Sequence, residues 1–432
     1  ADPVRKDVVE MLLRIFRREG LSLIPVFHFN APLPALEGQR STGSPDAEGI
    51  VLLDLQGDTR IATLRDEAAS VSIYNPLDRR VQTAFSDVLR EFVNRYQAHH
   101  QTMGGAGFLY SQDAVQVMPG QAWGVDRFTL KRFQQEAGLE AGSTPDWFAR
   151  LLGNENRASW LAWRQAQMVH WLAEQQQICS PLGRTFILGS DLLKTQDAFS
   201  ALAPSLRRNS DMADALARLA VPFEQIANDP NTVFLQPAER SPDNSLAQDR
   251  LNIQLNQDGE GTRLFRDVAN HGMLFSHRYS WAEIDQLRNR RLFGTPQQQS
   301  VMRLQPLSAV ADWNRQRRAR SIADFDSQTL VEGGWLCGFG QEEHLAPLVE
   351  VFTQIPDVRF ADVSAGDAAP AQVGVVIRQA QVEDRNWLYV VNPTPWQLSC
   401  RIQLSNRNTI LESLGREWKF TESEQPEILE EL

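Results

Sequence analysis

The run Gly104-Gly105-Ala106-Gly107-Phe108-Leu109-Tyr110-Ser111-Gln112-Asp113 decides the fold. Glycines lead into a short apolar stretch that closes on three polar residues, the pattern of a buried strand in a parallel sheet. The glycines stand before the strand and do not link a strand to a helix, so they form no phosphate loop. Upstream, Asn75-Pro76 offers an N-cap and a proline at the first helical position. Val81, Phe85, Val88, Phe92 and Tyr96 then make a one-sided helical stripe. Ahead of these lie a helix from Val8 to Arg18, stopped by Gly20, and a buried strand at Leu21–Phe29. Residues 30–70 are a Pro-, Gly- and Asp-rich excursion holding a hairpin, Ile50–Leu55 then Arg60–Leu64. Downstream, helices are expected at Arg127–Gln135, Glu155–Gln177, Asp211–Leu219, Gly261–Asn270, Ala309–Asp324 and Glu343–Thr353. Strands are expected at Thr185–Gly189, Thr232–Gln236, Met273–Phe275 and Gly334–Gly338. The alternation predicts an α/β architecture with a parallel sheet over 1–355. Beyond Pro356 the period falls to two, at Val373–Val382, Trp387–Asn392 and Gln397–Leu404, which predicts a β-rich domain over 356–432.

The chain has 432 residues, long enough for two to four domains or for one large α/β barrel with an appendage. Lys and Arg total 43 against 54 Asp and Glu, a net charge of −11, which disfavours a nucleic-acid backbone as partner. No run approaches the ~18 apolar residues of a membrane span. The opening Ala1-Asp2-Pro3-Val4-Arg5-Lys6-Asp7 has no apolar core and is no signal peptide; it reads as a cut just ahead of an amphipathic helix. Cys179, Cys337 and Cys400 share no ligand or redox spacing and read as free, packed thiols, with a single distant pair as the alternative. Nor do the seven His form a zinc motif, so neither metal nor cofactor is expected.

Catalytic groups of a parallel barrel project from the carboxyl ends of its strands. The polar residues there are His28 and Asn30, then Gln112 and Asp113, then Ser190 and Asp191, Glu239 and Arg240, Ser276, His277 and Arg278, and Gln341, Glu342 and Glu343. Several carboxylates at strand ends are what glycoside hydrolysis requires: a protonated acid for the leaving oxygen and an anion as nucleophile or base. A lone His28 is more often a hydrogen-bonded core residue, and His99-His100 lies at a helix end where cations are favoured. Arg164 falls inside the apolar arc of Trp160, Leu161, Trp163, Met168, Trp171 and Leu172, so it must find a carboxylate or several carbonyls. It either orients an active-site carboxylate or ties helix to sheet. Arg315-Gln316-Arg317-Arg318-Ala319-Arg320 reads as a solvated basic face. Of the eleven Trp, Trp123, Trp147, Trp281, Trp335 and Trp396 fall near loops or strand ends, where an indole can stack on a sugar ring.

Several motifs in order look familiar. Tyr74-Asn75-Pro76-Leu77-Asp78-Arg79-Arg80-Val81, Gly107 to Asp113, Trp123-Gly124-Val125-Asp126-Arg127-Phe128 on to Gly138, and Trp163-Arg164-Gln165-Ala166-Gln167 resemble the bacterial family-10-like glycosyl-hydrolase barrels. So do Gly333-Gly334-Trp335-Leu336, Gly340-Gln341-Glu342 and Leu388-Tyr389-Val390-Val391-Asn392 with Pro395-Trp396. The resemblance implies a TIM-type (β/α) barrel with a small β-rich C-terminal domain, a carbohydrate substrate and an extracytoplasmic location. It also implies an acidic residue after the fourth strand, here Asp113. Two departures stand out. Ser111-Gln112-Asp113-Ala114 replaces the two adjacent Asp and aromatic common in such barrels, and two strands that precede the match to Leu21–Phe29 have no counterpart. About six of eight barrel strands are present, so an additional chain or an upstream segment is expected to complete the barrel.

These observations lead first to a glycoside hydrolase. Its acid/base residue would be Asp113, and Asp191, Glu239 and Glu342 compete as the second carboxylate. Arg164 and Gln341 would position groups, and His28, Asn30, Gln112, Trp123, His277 and Trp335 would line the groove. The rival is a degenerate barrel that binds glycan or protein without turnover in a larger envelope assembly.

Overall fold

In the computed structural model of the chain, the described residues are 7–43, 47–63, 70–111, 113–139, 154–189, 216, 218–237, 268–277, 280–282, 302–304, 312–334, 342–363, 375–394, 396 and 414. Two compact units form, Ala1–Gln236 with Pro242–Asn270, and Pro237–Ser241 with His271–Leu432.

The first unit is a parallel α/β layer. α1 (Val8–Glu19) starts where the Asp7 carboxylate accepts the Glu10 N–H and stops at Gly20, left-handed at φ 68°. There follow β1 (Val26–Phe27), α2 (Pro34–Ser41), β2 (Ile61–Thr63), β3 (Ser70–Ser72), α3 (Arg79–Tyr96) and β4 (Gly105–Leu109). α4 (Arg127–Ala137), α5 (Asn154–Cys179), β5 (Arg184–Leu188), α6 (Phe223–Asn228) and β6 (Thr232–Pro237) complete it. β1, β4, β5 and β6 are neighbours in that order and all pair in parallel. Each step therefore needs a crossover, which the intervening helices supply. Gly105 permits the β4–β5 step. At its φ of 144°, a Cβ would stand 2.1 Å from the Arg184 carbonyl oxygen.

The expected buried strand at Leu21–Phe29 is shorter and more open than its composition suggests. Only Val26–Phe27 is strand, with Leu23 bridged to Met103, and Leu21 and Val26 are about half exposed. The reason is position. β1 ends the strand order, so one flank has no neighbour among the described residues. In the excursion, β2 pairs antiparallel with β3, Leu53 bridges Thr59, and helix α2 was not expected.

Asn75 is not the N-cap of α3. That place belongs to Asp78, which accepts the Arg80 N–H. Asn75 is buried instead, donating to Asp126 Oδ2 and to Thr129 Oγ1, both at 2.9 Å, and accepting the Leu77 N–H. Asp126 in turn caps α4 through the Phe128 and Thr129 N–H groups. Burial pushes the Asp126 carboxyl up against these donors. Aromatic packing fills the core between sheet and helices: Phe29 stacks on Phe85 at 4.6 Å and on Trp171 at 6.4 Å. Trp160 and Trp163 stack on each other at 5.4 Å, both against Phe133.

The second unit pairs β7 (His271–His277) in parallel with β10 (Thr329–Gly334), and a small antiparallel ladder joins β8 (Ser280–Ala282) to β9 (Met302–Leu304). β10 starts ahead of the expected strand at Gly334–Gly338, most of which lies outside the described residues. α7 (Asp312–Phe325) and α8 (Glu342–Phe352) precede a three-stranded antiparallel sheet of β11 (Ala361–Asp362), β12 (Val376–Val382) and β13 (Arg385–Val391). Buried Arg378 bolts this sheet to α7 by donating to the Ile322 and Ala323 carbonyls at 2.7 Å and to Asp362. The basic run 315–320 is not a solvated face. Arg318 is buried, with its guanidinium 4.8 Å from the Phe275 ring centroid. The expected helices at Asp211–Leu219 and Gly261–Asn270 and the strand at Gln397–Leu404 lie mostly or wholly outside the described residues.

Asn75→Ala takes one donor each from the buried Asp126 and Thr129 oxygens, which keep their bond to each other, and leaves the Leu77 N–H without its acceptor. The expected loss is about 2–4 kcal/mol of unfolding free energy, measured by urea unfolding; a change within experimental error would deny the network its structural role.

Candidate functional site

The register between β1 and β4 builds the site. Val26 pairs with Gly107 and Phe27 with Phe108, so the residues that follow each strand leave the sheet side by side at its carboxyl end. The two exits are also sewn together, as the Val115 N–H donates to the Phe29 carbonyl at 2.8 Å. His28 and Asn30 from β1 thus meet Ser111 and Asp113 from β4.

Ser111 Oγ donates to Asp113 Oδ1 at 2.5 Å, and His28 Nε2 lies 2.8 Å from the same Oγ. A serine hydroxyl has one hydrogen, and here Asp113 takes it, so His28 Nε2–H is the donor to Ser111. The same imidazole nitrogen is 3.4 Å from Asp113 Oδ1, and Asn30 Nδ2 donates to Oδ2 at 3.2 Å. Three side chains therefore converge on one carboxylate. The adjoining His28 imidazole is the largest influence holding Asp113 well below the usual carboxylate range; partial burial opposes it, and Ser111 and Asn30 reinforce it. Ser111 is buried, whereas the His28 and Asp113 side chains remain 30% and 32% exposed, so the anion is reachable from solvent.

This arrangement has definite chemical limits. A nucleophilic serine needs a base that accepts its proton, but His28 donates to Ser111, which rules against an acyl-transfer triad in this state. An ionised Asp113 carries no proton to give a leaving group at neutral pH. It suits a base, a nucleophile or an electrostatic partner to developing positive charge.

Arg164 is not part of this cluster. It is fully buried on α5, donates from Nη2 to the Gly120 carbonyl at 2.8 Å, and touches Met118 Sδ and the Trp160 ring. Its Nε and Nη1, like both amide atoms of buried Gln116, have no hydrogen-bond partner among the described residues. Burial pushes its pKa down to about 9. The described partners of Arg164 thus include a carbonyl but no carboxylate, and it pins the 116–124 loop to α5.

The other expected residues divide simply. Trp123 sits half-buried in that loop. Trp160, Trp163 and Trp171 belong to the core. His277 ends β7 and Glu342 opens α8, with only their backbones described. Gln112, Asp191, Glu239, Trp335 and Gln341 lie outside the described residues. Ser111 joins the cluster without being among the strand-end groups expected from the sequence. Its signal was its place two residues before Asp113, on the same exit from β4. Among the described residues no group of three His, Cys, Asp or Glu could hold a metal ion, and no helix is long and apolar enough to cross a membrane. Cys179 is buried and free, with burial pushing its thiol up to about 12.

No protein-family model matches the chain, and no curated protein matches it. Among solved structures it is similar to the catalytic domain of β-amylase from Paenibacillus polymyxa, with a TM-score of 0.37 and 10% identity over 75% of this chain and 79% of that chain. The likeness is weak.

Two outcomes are expected. Asp113 stabilises the fold when ionised, so its contribution is full above the unfolded carboxylate pKa and is lost as pH falls toward its depressed folded value. Asp113→Asn should therefore flatten the fall in urea midpoint between about pH 5 and pH 2; an unchanged slope would refute the network. Arg164→Met removes a poorly paired buried charge and is expected to raise unfolding free energy by about 1–3 kcal/mol. A loss in the same urea titration would mean that Arg164 is satisfied in solution.

Proposed function

We propose that this chain is a glycoside-hydrolase-like protein that acts on an oligosaccharide or polysaccharide through Asp113 as its anionic carboxylate. The observation that carries this reading is a solvent-reachable carboxylate, held ionised by His28, Ser111 and Asn30, at the carboxyl ends of two adjacent parallel strands. Catalytic groups of (β/α) barrels stand in that location, and hydrolysis of a glycosidic bond needs one carboxylate kept as an anion. On this reading residues 1–355 form a TIM-type barrel and 356–432 its β-rich companion. The proton for the leaving oxygen comes from a second carboxyl group, with Asp191, Glu239 and Glu342 as the candidates. Such a pair stands about 5–5.5 Å apart in a retaining enzyme and about 6.5–9.5 Å apart in an inverting one.

A second reading has its own support. Both oxygens of Asp113 are engaged by the chain's own donors, which also suits a site that recognises a sugar hydroxyl without turning it over. A panel of glycans assayed for hydrolysis and binding with the wild type and Asp113→Asn separates the two. The hydrolase reading expects turnover that falls by about 10³-fold or more in the variant. Equal turnover would remove Asp113 from the mechanism, and binding without turnover by the wild type would favour the non-catalytic protein.

A further inference from the structure

The hydrogen bonds around Asp113 decide which atoms are left for a ligand. Ser111 Oγ donates to Oδ1 and Asn30 Nδ2 to Oδ2, and the adjoining ring is that of His28. Among the described residues no Lys or Arg lies within ion-pair distance of this carboxylate. Its negative charge is held by hydrogen bonds and has no fixed lysine or arginine beside it.

The remaining polar atoms are mostly acceptors. Asn30 Nδ2 is turned to Asp113, which leaves the amide oxygen Oδ1 on the other side. His28 Nε2–H is committed to Ser111, and a neutral imidazole bonded in that way offers Nδ1 as an acceptor. Neither Asn30 Oδ1 nor His28 Nδ1 has a hydrogen-bond partner among the described residues. Neither is one of the buried polar atoms left without a partner, so both are reached by solvent. With the spare lone pairs of Asp113 they make three acceptors and one negative charge, against the single remaining N–H of Asn30.

An apolar contact adjoins them. Val26 stands two residues before His28 and is half exposed. Its Cγ2 lies 3.0 Å from the place a Cβ on Gly107 would take, which sets it on the sheet face that carries Ser111.

This pattern selects a ligand by charge. A sugar hydroxyl donates one hydrogen bond and brings no positive charge to Asp113, and an anionic sugar is repelled. A protonated amine brings three N–H donors and the cation the site lacks, and the C–H groups of its ring suit Val26. We infer that the Asp113 site takes a primary ammonium group, so that its glycan carries free, unacetylated amino sugars. The ammonium site stands on the acceptors alone; the amino sugar rests on the glycoside-hydrolase-like reading.

Calorimetric titration of the whole chain at about pH 6.5 and about 20 mM salt tests it. The probes are D-glucosamine, D-glucose, N-acetyl-D-glucosamine, and cyclohexylamine as an amine without hydroxyl groups. Glucosamine is expected to bind at least ~10-fold more tightly than either neutral sugar. That preference should shrink at about 500 mM salt, which reads the charge without any variant. It should disappear in Asp113→Asn and persist in Ser111→Ala, where the carboxylate remains. Equal binding of the three sugars would overturn the inference and leave the glycan reading standing. A preference that survives Asp113→Asn would overturn it too, by placing the amine elsewhere on a chain of net charge −11. Cyclohexylamine bound as tightly as glucosamine, and lost in Asp113→Asn, would uphold the ammonium site and overturn the glycan reading. Binding of none of the four would overturn the inference.

Discussion

The parallel register between β1 and β4 is the constraint on which the site depends. Pairing Phe27 with Phe108 fixes where both strands end, and so which residues emerge together. A slip of one residue would reverse the faces of the β1 side chains, separate His28 from Ser111 and pull Phe29 out of its stack on Phe85. Packing and site chemistry therefore share one determinant. The aromatic contacts under the sheet hold the register, and the register brings Ser111 and Asn30 to the Asp113 carboxylate as donors, with His28 behind Ser111.

Much of the fold was legible because its elements obey local rules. α1 lies between an Asp that caps it and a glycine that ends it, and α4, α5, β5 and β6 match apolar periods in their sequences. What was not legible is tertiary. Asn75-Pro76 carries a helix-start signature, but Asn75 is worth more as a buried bridge to Asp126 and Thr129 than as a cap. The basic run of α7 looked solvated because a guanidinium over an aromatic ring leaves no mark in periodicity. Leu21–Phe29 looked like an interior strand, since composition does not reveal which strand stands at an edge.

The site was partly legible for the same reason. Strand ends could be read from apolar runs, and that placed His28, Asn30 and Asp113 on one list. Nothing in the sequence says that the β1 and β4 exits are neighbours, so their convergence is a product of topology. Ser111 carries no sequence signature of its own, since a serine beside a strand is common; only its hydrogen bond to Asp113 and contact with His28 distinguish it. The direction of those bonds also sharpens the chemistry. Donors surround the Asp113 carboxylate, which favours its anion.

The burial of Trp160, Trp163 and Trp171 has an optical consequence. These indoles sit among Phe29, Phe85 and Phe133, away from water, so their emission is shifted to the blue and rises or falls with the integrity of the first unit. Trp396, by contrast, is 69% exposed and belongs to the second unit. Quenching by a small aqueous solute such as iodide therefore reaches Trp396 while sparing these three buried rings, so the two kinds of indole report on different surroundings.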